Sequence, residues 1–281
     1  MDIAIGLPAA IPWAHGPELA EWARRAEGRG FSTLGALDRV VYGNAEPLTA
    51  LAVAAGATER IGLATAILIA PARRDTAILG KQTASLDALS GGRLTLGLAV
   101  GVREDDFVAT GASFHERGLR FDEQLSELAR IWTGSSIGPA PARPGGPTLM
   151  LGGFAERPIQ RVAEHGAGWI AGGGGPERFA AGAERVCEQW QRAGREGRPK
   201  LMALSYFALG ADGREQADRY LRDYYAFAGP YAETAAAAAA VSEHLVREQC
   251  LAFEQAGCDE LIFFPCSPEL TQVELLAAAI A

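Results

Sequence analysis

The sequence predicts an α/β fold, a closed barrel of eight β/α units. Three observations carry this. Short apolar runs alternate with helical patterns eight times along 281 residues, and that alternation implies a parallel sheet. Two runs, Ile61 to Ile69 and Arg93 to Val100, are near-continuously apolar, as strands buried on both faces are. The competing doubly wound sheet would turn from its first strand into a helix through G-x-G-x-x-G, and this chain does not.

Element by element, the first strand covers Asp2 to Leu7. A loop follows to Gly16, and Pro17 opens a helix with Leu19, Trp22, Ala23 and Ala26 on one face. Phe31 to Leu37 is the second strand, with Asp38-Arg39 at its C-terminal end, and Glu46 to Thr58 the second helix. Ile61 to Ile69, Arg74 to Leu89 and Arg93 to Val100 form the most regular β-α-β unit; Ser90-Gly91-Gly92 stops its helix where a C-terminal glycine belongs. After Gly101 comes a polar segment, then a helix with Phe121, Leu125, Leu128 and Trp132 as its buried stripe. Thr133 to Gly146 is a Pro/Gly-rich surface connection within one domain spanning 1–281.

Pro147 to Gly153 is the fifth strand, Ala155 to His165 a helix, Gly168 to Ala171 the sixth strand, and a helix starts at Pro176. Lys200 to Leu209 is the seventh strand. Helices over Arg214–Phe227 and Tyr231–Ala256 follow, so an extra helix stands between strands seven and eight. Cys258 to Phe264 and Pro268 to Ile280 complete a TIM (β/α)8 barrel.

The chain is 48% hydrophobic, enough for a sizeable core, and its net charge of -8 argues against nucleic-acid or membrane-surface partners. No apolar run approaches the roughly 20 residues of a membrane helix. The start has no basic region before its apolar run and is not a signal peptide by pattern. Cys187, Cys250, Cys258 and Cys266 form no C-x-x-C pair and no histidine cluster joins them, so the expectation is free thiols in a reducing cytoplasm and no metal.

In such a barrel the site lies at the C-terminal strand ends. Arginines end strands two, three and four of an acidic chain, which suggests an anionic ligand. Gly152-Gly153 and Gly172 to Gly175 each follow a strand and precede a helix, a placement that lets a phosphate approach backbone N–H groups. Small side chains at Thr65-Ala66-Ile67 suit a flat conjugated ring. His15 and His115 lie in loops on the same face.

Arg60 to Pro71, Lys81 to Leu94, Gly97 to Gly101 and Arg117 to Trp132 together resemble the bacterial luciferase-like superfamily, most strongly over residues 31–155. The resemblance implies a TIM barrel holding a flavin or deazaflavin, often as a homodimer. The chain looks closer to the oxidoreductases that use the deazaflavin coenzyme F420. By that resemblance Asp38 lies near the ring, and Ala66-Ile67 forms a bulge, often with a non-proline cis peptide, that backs it. Gly101, Val102 and Arg103 contact the ring edge or ribityl chain. Gly152-Gly153-Phe154 and Gly172-Gly173-Gly174 hold the tail and phosphate.

The reading that follows is hydride transfer between F420 and a small organic substrate. Asp38, Arg39 and His15 are the catalytic candidates, and Trp13, His15, Phe107 and His115 shape the substrate pocket. Two departures stand out: many deazaflavin members have histidine where this chain has Arg39, and luciferases have a phosphate-binding arginine where it has Val100. The alternatives are an FMN-dependent monooxygenase fed by a separate flavin reductase, and a barrel that binds flavin without turnover.

Overall fold

The computed structural model describes every residue except His15. Eight parallel strands close into one barrel in sequence order: β1 (Asp2–Gly6), β2 (Thr33–Ala36), β3 (Gly62–Ile69), β4 (Leu94–Ala99), β5 (Thr148–Gly152), β6 (Gly168–Ala171), β7 (Lys200–Phe207) and β8 (Glu260–Pro265). β8 pairs back onto β1, with Asp2 beside Glu260 and Ile5 beside Phe263. Around them lie α1 (Gly16–Gly28), α2 (Pro47–Ala57), α3 (Thr76–Leu89), α4 (Glu104–Thr110), α5 (Arg117–Thr133), α6 (Glu156–His165), α7 (Gly175–Arg192), α8 (Gly213–Tyr224), α9 (Tyr231–Ala237), α10 (Glu243–Gln255) and α11 (Thr271–Ile280).

Local chemistry sets the helix starts. The Glu46 carboxylate accepts from the Thr49 N–H at 2.8 Å, and Pro47 stands in the first turn of α2, where no intrahelical N–H bond is lost. Asp75 caps α3 by accepting from the Ile78 N–H at 2.9 Å.

The core has two layers. Outside the barrel, outward strand residues meet the helices; Trp169 stacks on Phe179 at 5.6 Å and donates from Nε1 to the Gly153 carbonyl at 2.9 Å. Inside the barrel, large side chains fill the space over small ones. The Phe264 ring occupies the volume that side chains at Gly6 and Gly35 would take: a Cβ there would lie 2.7 and 2.9 Å from ring atoms. A single large residue thus packs against two bare strands, the interdigitation that a filled barrel requires.

Two expected elements differ. The polar segment after Gly101 contains a helix, α4, which Gly111 ends at φ 66°. The expected helix Tyr231–Ala256 is two helices. Ala240 leaves the helical path to bridge Phe207, donating from its N–H to the Tyr206 carbonyl at 2.9 Å, and the Ser242 hydroxyl then caps α10 by accepting from the Leu245 N–H. Three α-helices, rather than two, therefore separate β7 from β8 among the described residues. The remaining boundaries agree within a few residues.

Candidate active site

The site is built on an irregularity in β3. Thr65 is opposite Leu96 and Leu68 opposite Leu98, so Ala66 and Ile67 together face one residue, Gly97. This is a β-bulge, which re-aims the strand at the barrel rim, and the Ala66–Ile67 peptide is cis. The Thr65 hydroxyl donates to the Gly97 carbonyl at 2.8 Å and ties the bulge to β4. Only glycine fits the neighbouring strands. A Cβ on Gly97 would fall closer than 3.0 Å to the Thr65 carbonyl oxygen, and one on Gly152 would run into the tip of Ile67. Gly101 has a φ of 74°, and a Cβ there would sit 2.6 Å from Ile69.

Above the bulge is a cavity of about 400 Å³, within the usual range for small-molecule sites. Of the sequence-predicted residues, Asp38, Arg39, Ala66, Ile67, Gly101, Val102, Arg103, Gly152, Gly153, Phe154 and Gly172 line it. The others do not. Gly173 and Gly174 border a second cavity, of about 460 Å³, between α7 and the α9–α10 pair. Phe107 is fully buried under the rim against Phe114, because α4 turns its ring inward. His115 is exposed, edge-on to Phe114. Trp13 lines a separate depression, with the Arg219 guanidinium 4.3 Å from its ring centre. His15 lies outside the described residues.

Asp38 and Arg39 are adjacent and diverge. The Asp38 carboxylate is buried, accepts from the Ile69 N–H at 2.7 Å and is paired with Arg73 at 2.6 Å; Arg73 also reaches Glu46 at 2.9 Å. Burial pushes the Asp38 carboxyl up from its ordinary range, and Arg73 and the Ile69 N–H work against that. Burial also disfavours charge on Arg73, but Asp38 and Glu46 hold its pKa above the ordinary value. The carboxylate is thus held in an ion pair with Arg73 at the cavity wall. Arg39 turns toward the cavity mouth, its guanidinium 4.0 Å from the Tyr42 ring centre and 4.9 Å from that of Tyr224.

The cavity roof was not anticipated. Tyr224, Tyr225, Phe227 and Tyr231 come from the segment between β7 and β8 and face the bulge, with Tyr206 from β7 beneath them. Burial pushes the Tyr206 and Tyr225 phenols far up, so both are neutral, and their hydroxyls are 2.8 Å apart. A signal existed: four of the six tyrosines fall between residues 220 and 231. Arg178 of α7 was also missed; its guanidinium stands 3.9 Å from the Phe154 ring centre at the β5–β6 side. Among the described lining residues there is no histidine or cysteine. The arrangement offers a mostly apolar cavity, neutral phenol O–H groups, and guanidinium donors on two sides.

Residues 6–256 match the family model described as luciferase-like monooxygenase. An uncharacterized protein of Mycobacterium tuberculosis is 29% identical over 173 residues, covering 57% of this chain and 61% of that one. An F420-dependent glucose-6-phosphate dehydrogenase of Intrasporangium calvum is 33% identical over 128 residues, covering 41% and 38%. The matches thus span less than two thirds of these relatives. Among solved structures, monooxygenase RslO1 from Streptomyces bottropensis superposes with a TM-score of 0.80 at 20% identity, covering 100% of this chain and 98% of that one. An F420-dependent secondary alcohol dehydrogenase does so with a TM-score of 0.78 at 16% identity, covering 99% and 97%. At these identities the likeness is one of fold.

Proposed function

This chain belongs to the luciferase-like monooxygenase family, and we propose that within it the chain is an oxidoreductase passing a hydride between coenzyme F420 and a small organic substrate. The observation that carries this reading is the glycine-walled cavity of about 400 Å³ over the Ala66–Ile67 bulge, lined by small side chains and bare backbone from β3, β4 and β5 and by aromatic rings from the segment between β7 and β8. The F420-dependent relative supports the choice of cofactor.

When bound, the deazaflavin supplies the two-electron chemistry; the protein positions it. Ala66, Ile67 and Gly101 would back the ring, and Gly152, Gly153 and Gly172 would give the tail a close approach to backbone, with Arg178 facing its negative charge. The Tyr206–Tyr225 hydroxyl pair holds a proton at the cavity wall, where a substrate oxygen would need one. Of the aromatic roof, Tyr224 is buried while Phe227 stays partly open to solvent.

Spectral titration of the purified protein with F420 and with FMN tests the assignment. Micromolar F420 binding, with bleaching or recovery of its absorbance on adding substrate candidates, is the expected result. Micromolar FMN binding with none for F420, together with oxygen uptake on FMNH2, would transfer the chain to the two-component monooxygenases. Tight binding without turnover across a substrate panel would make it a carrier.

A further inference from the structure

Two guanidiniums at the rim keep N–H groups with no protein partner. Arg39 and Arg103 are only 9% and 7% exposed, yet both line the cavity. Arg39 donates from Nη1 to the Tyr224 carbonyl at 2.7 Å and from Nη2 to the Val41 carbonyl at 3.2 Å, and its Nε is buried without an acceptor. Arg103 pairs through Nη2 with Asp105, while its Nη1 and Nε lack acceptors. Its Nε stands 3.5 Å from the Asp106 carboxylate, too far to bond. The Phe227 ring serves both: its centre is 4.1 Å from the Arg103 guanidinium and 5.8 Å from that of Arg39. Burial, and then the neighbouring Arg103, depress the Arg39 pKa, so the two cations repel each other where they stand.

The acidic groups nearby do not saturate them. Asp106 Oδ1 is taken by the Val40 and Val41 N–H groups, at 2.9 and 2.7 Å, while its buried Oδ2 has no hydrogen-bond partner and faces Arg103 Nε at 3.5 Å as an ion pair without a hydrogen bond. Asp38 is taken by Arg73. Asp105 has a side chain 44% exposed, so water readily replaces Arg103 as its partner. Buried donors without acceptors are costly, and guanidinium forks match carboxylate oxygens.

We propose that Arg39 and Arg103 form a subsite for the carboxylate of a small organic-acid substrate, Asp105 standing in for that carboxylate until the substrate arrives. This rests on reading the cavity as a redox-cofactor site. Arg39 follows β2, whereas Arg178 follows β6, on the opposite side of an eight-strand ring. A cofactor's anionic tail held at Arg178 and the glycines therefore leaves the Arg39–Arg103 end for a second anion. The aromatic faces of Tyr42, Tyr224 and Phe227 favour an acid with an apolar or planar body.

Phenylacetate and its neutral isostere phenylacetamide are the probes, titrated calorimetrically into the full chain with and without saturating F420. The wild type should bind phenylacetate about 30-fold more tightly, as charge-assisted hydrogen bonds predict. Arg103→Gln should reduce the preference to about threefold or less, Arg103→Lys should keep part of it, and Asp105→Asn should tighten phenylacetate without helping phenylacetamide. Equal binding of the two probes by the wild type overturns the subsite, as does looser phenylacetate binding by Asp105→Asn. Displacement of F420 by phenylacetate overturns it too, since the anion would then belong to the cofactor. Should neither F420 nor FMN bind while the carboxylate preference persists, the redox reading falls and the subsite stands. Should F420 bind and the preference be absent, the subsite alone falls.

Discussion

Substituting Gly97 by alanine separates the seat of the bulge from the space of the ligand. The new methyl would lie closer than 3.0 Å to the Thr65 carbonyl oxygen, with the Thr65 carbonyl carbon at 3.2 Å and Ile67 Cγ1 at 3.3 Å. The obstruction is the backbone of the adjacent strand, which cannot rotate aside, so β3 and β4 must part or the bulge must straighten. Overpacking of this kind costs about 1–3 kcal/mol. For a chain of this size each kcal/mol lowers the melting temperature by about 2–4 °C, so Gly97→Ala should melt roughly 3–10 °C below wild type. It should also lose cofactor affinity, because Ala66 and Ile67 move. Gly172→Ala is the counterpart. A Cβ there meets nothing within 4 Å, and its φ is ordinary, so the melting temperature should stay within about 1–2 °C of wild type. The methyl projects into cavity space, however, and F420 affinity should fall about tenfold, as filling ligand volume would cause. Calorimetric melting and F420 titration of both variants check this. A Gly97→Ala protein that melts and binds as wild type would refute the role assigned to the bulge. A Gly172→Ala protein with unchanged affinity would refute the position assigned to the ligand.

Two stability predictions follow from the buried charges. Removing one partner of a buried ion pair costs about 3–5 kcal/mol. Arg73→Met should cost more than Asp38→Asn, because it strands a fully enclosed carboxylate, whereas Asp38→Asn leaves Arg73 its second partner, Glu46; urea midpoints in the reverse order would contradict the geometry. At the other end of the barrel, burial pushes the Glu260 carboxyl up, but Lys200 at 2.6 Å and Ser32 at 2.7 Å more than offset it, leaving its pKa below the ordinary 4.5. A carboxylate with a lowered folded-state pKa contributes stability above the ordinary value and loses it as pH falls through the folded one. Glu260→Gln should therefore be less stable than wild type at pH 7, by about 1.5–3 kcal/mol for a charged hydrogen-bond network, and the gap should narrow below about pH 4.5. A gap that does not change with pH would refute the charge-based account.

The barrel was legible because its strands carry their burial in their composition. A near-continuous apolar run has one comfortable place, inside a parallel sheet, and eight short strand-like runs separated by helix-period segments leave few topologies. What escaped was decided by tertiary contacts. The alanines from 235 to 240 suit any helix, so nothing local marks the point where Ala240 abandons the helix to pair with Phe207. α4 escaped because Glu104, Asp105 and Asp106 read as a polar loop, although acidic residues in a first turn also favour a helix.

The cavity shows the same division between chain position and side-chain direction. Glycines announce close approach of backbone whichever way the neighbours point, which is why Gly101, Gly152 and Gly172 were found from sequence. A loop side chain has no such guarantee: Phe107 and His115 sit on the expected face of the barrel, but α4 buries the ring of one and the other is left in solvent. Asp38 and Arg39 make the point most sharply. One peptide bond separates them. Here both residues line the cavity past the end of β2, the carboxylate taken by Arg73 and the guanidinium lying beside Tyr42 and Tyr224. In the proposed reading the neutral phenols hold the proton, and the guanidinium at the mouth selects among substrates. Which partner each neighbour takes is decided by the elements packed around them, and a sequence alone does not fix that at a strand end.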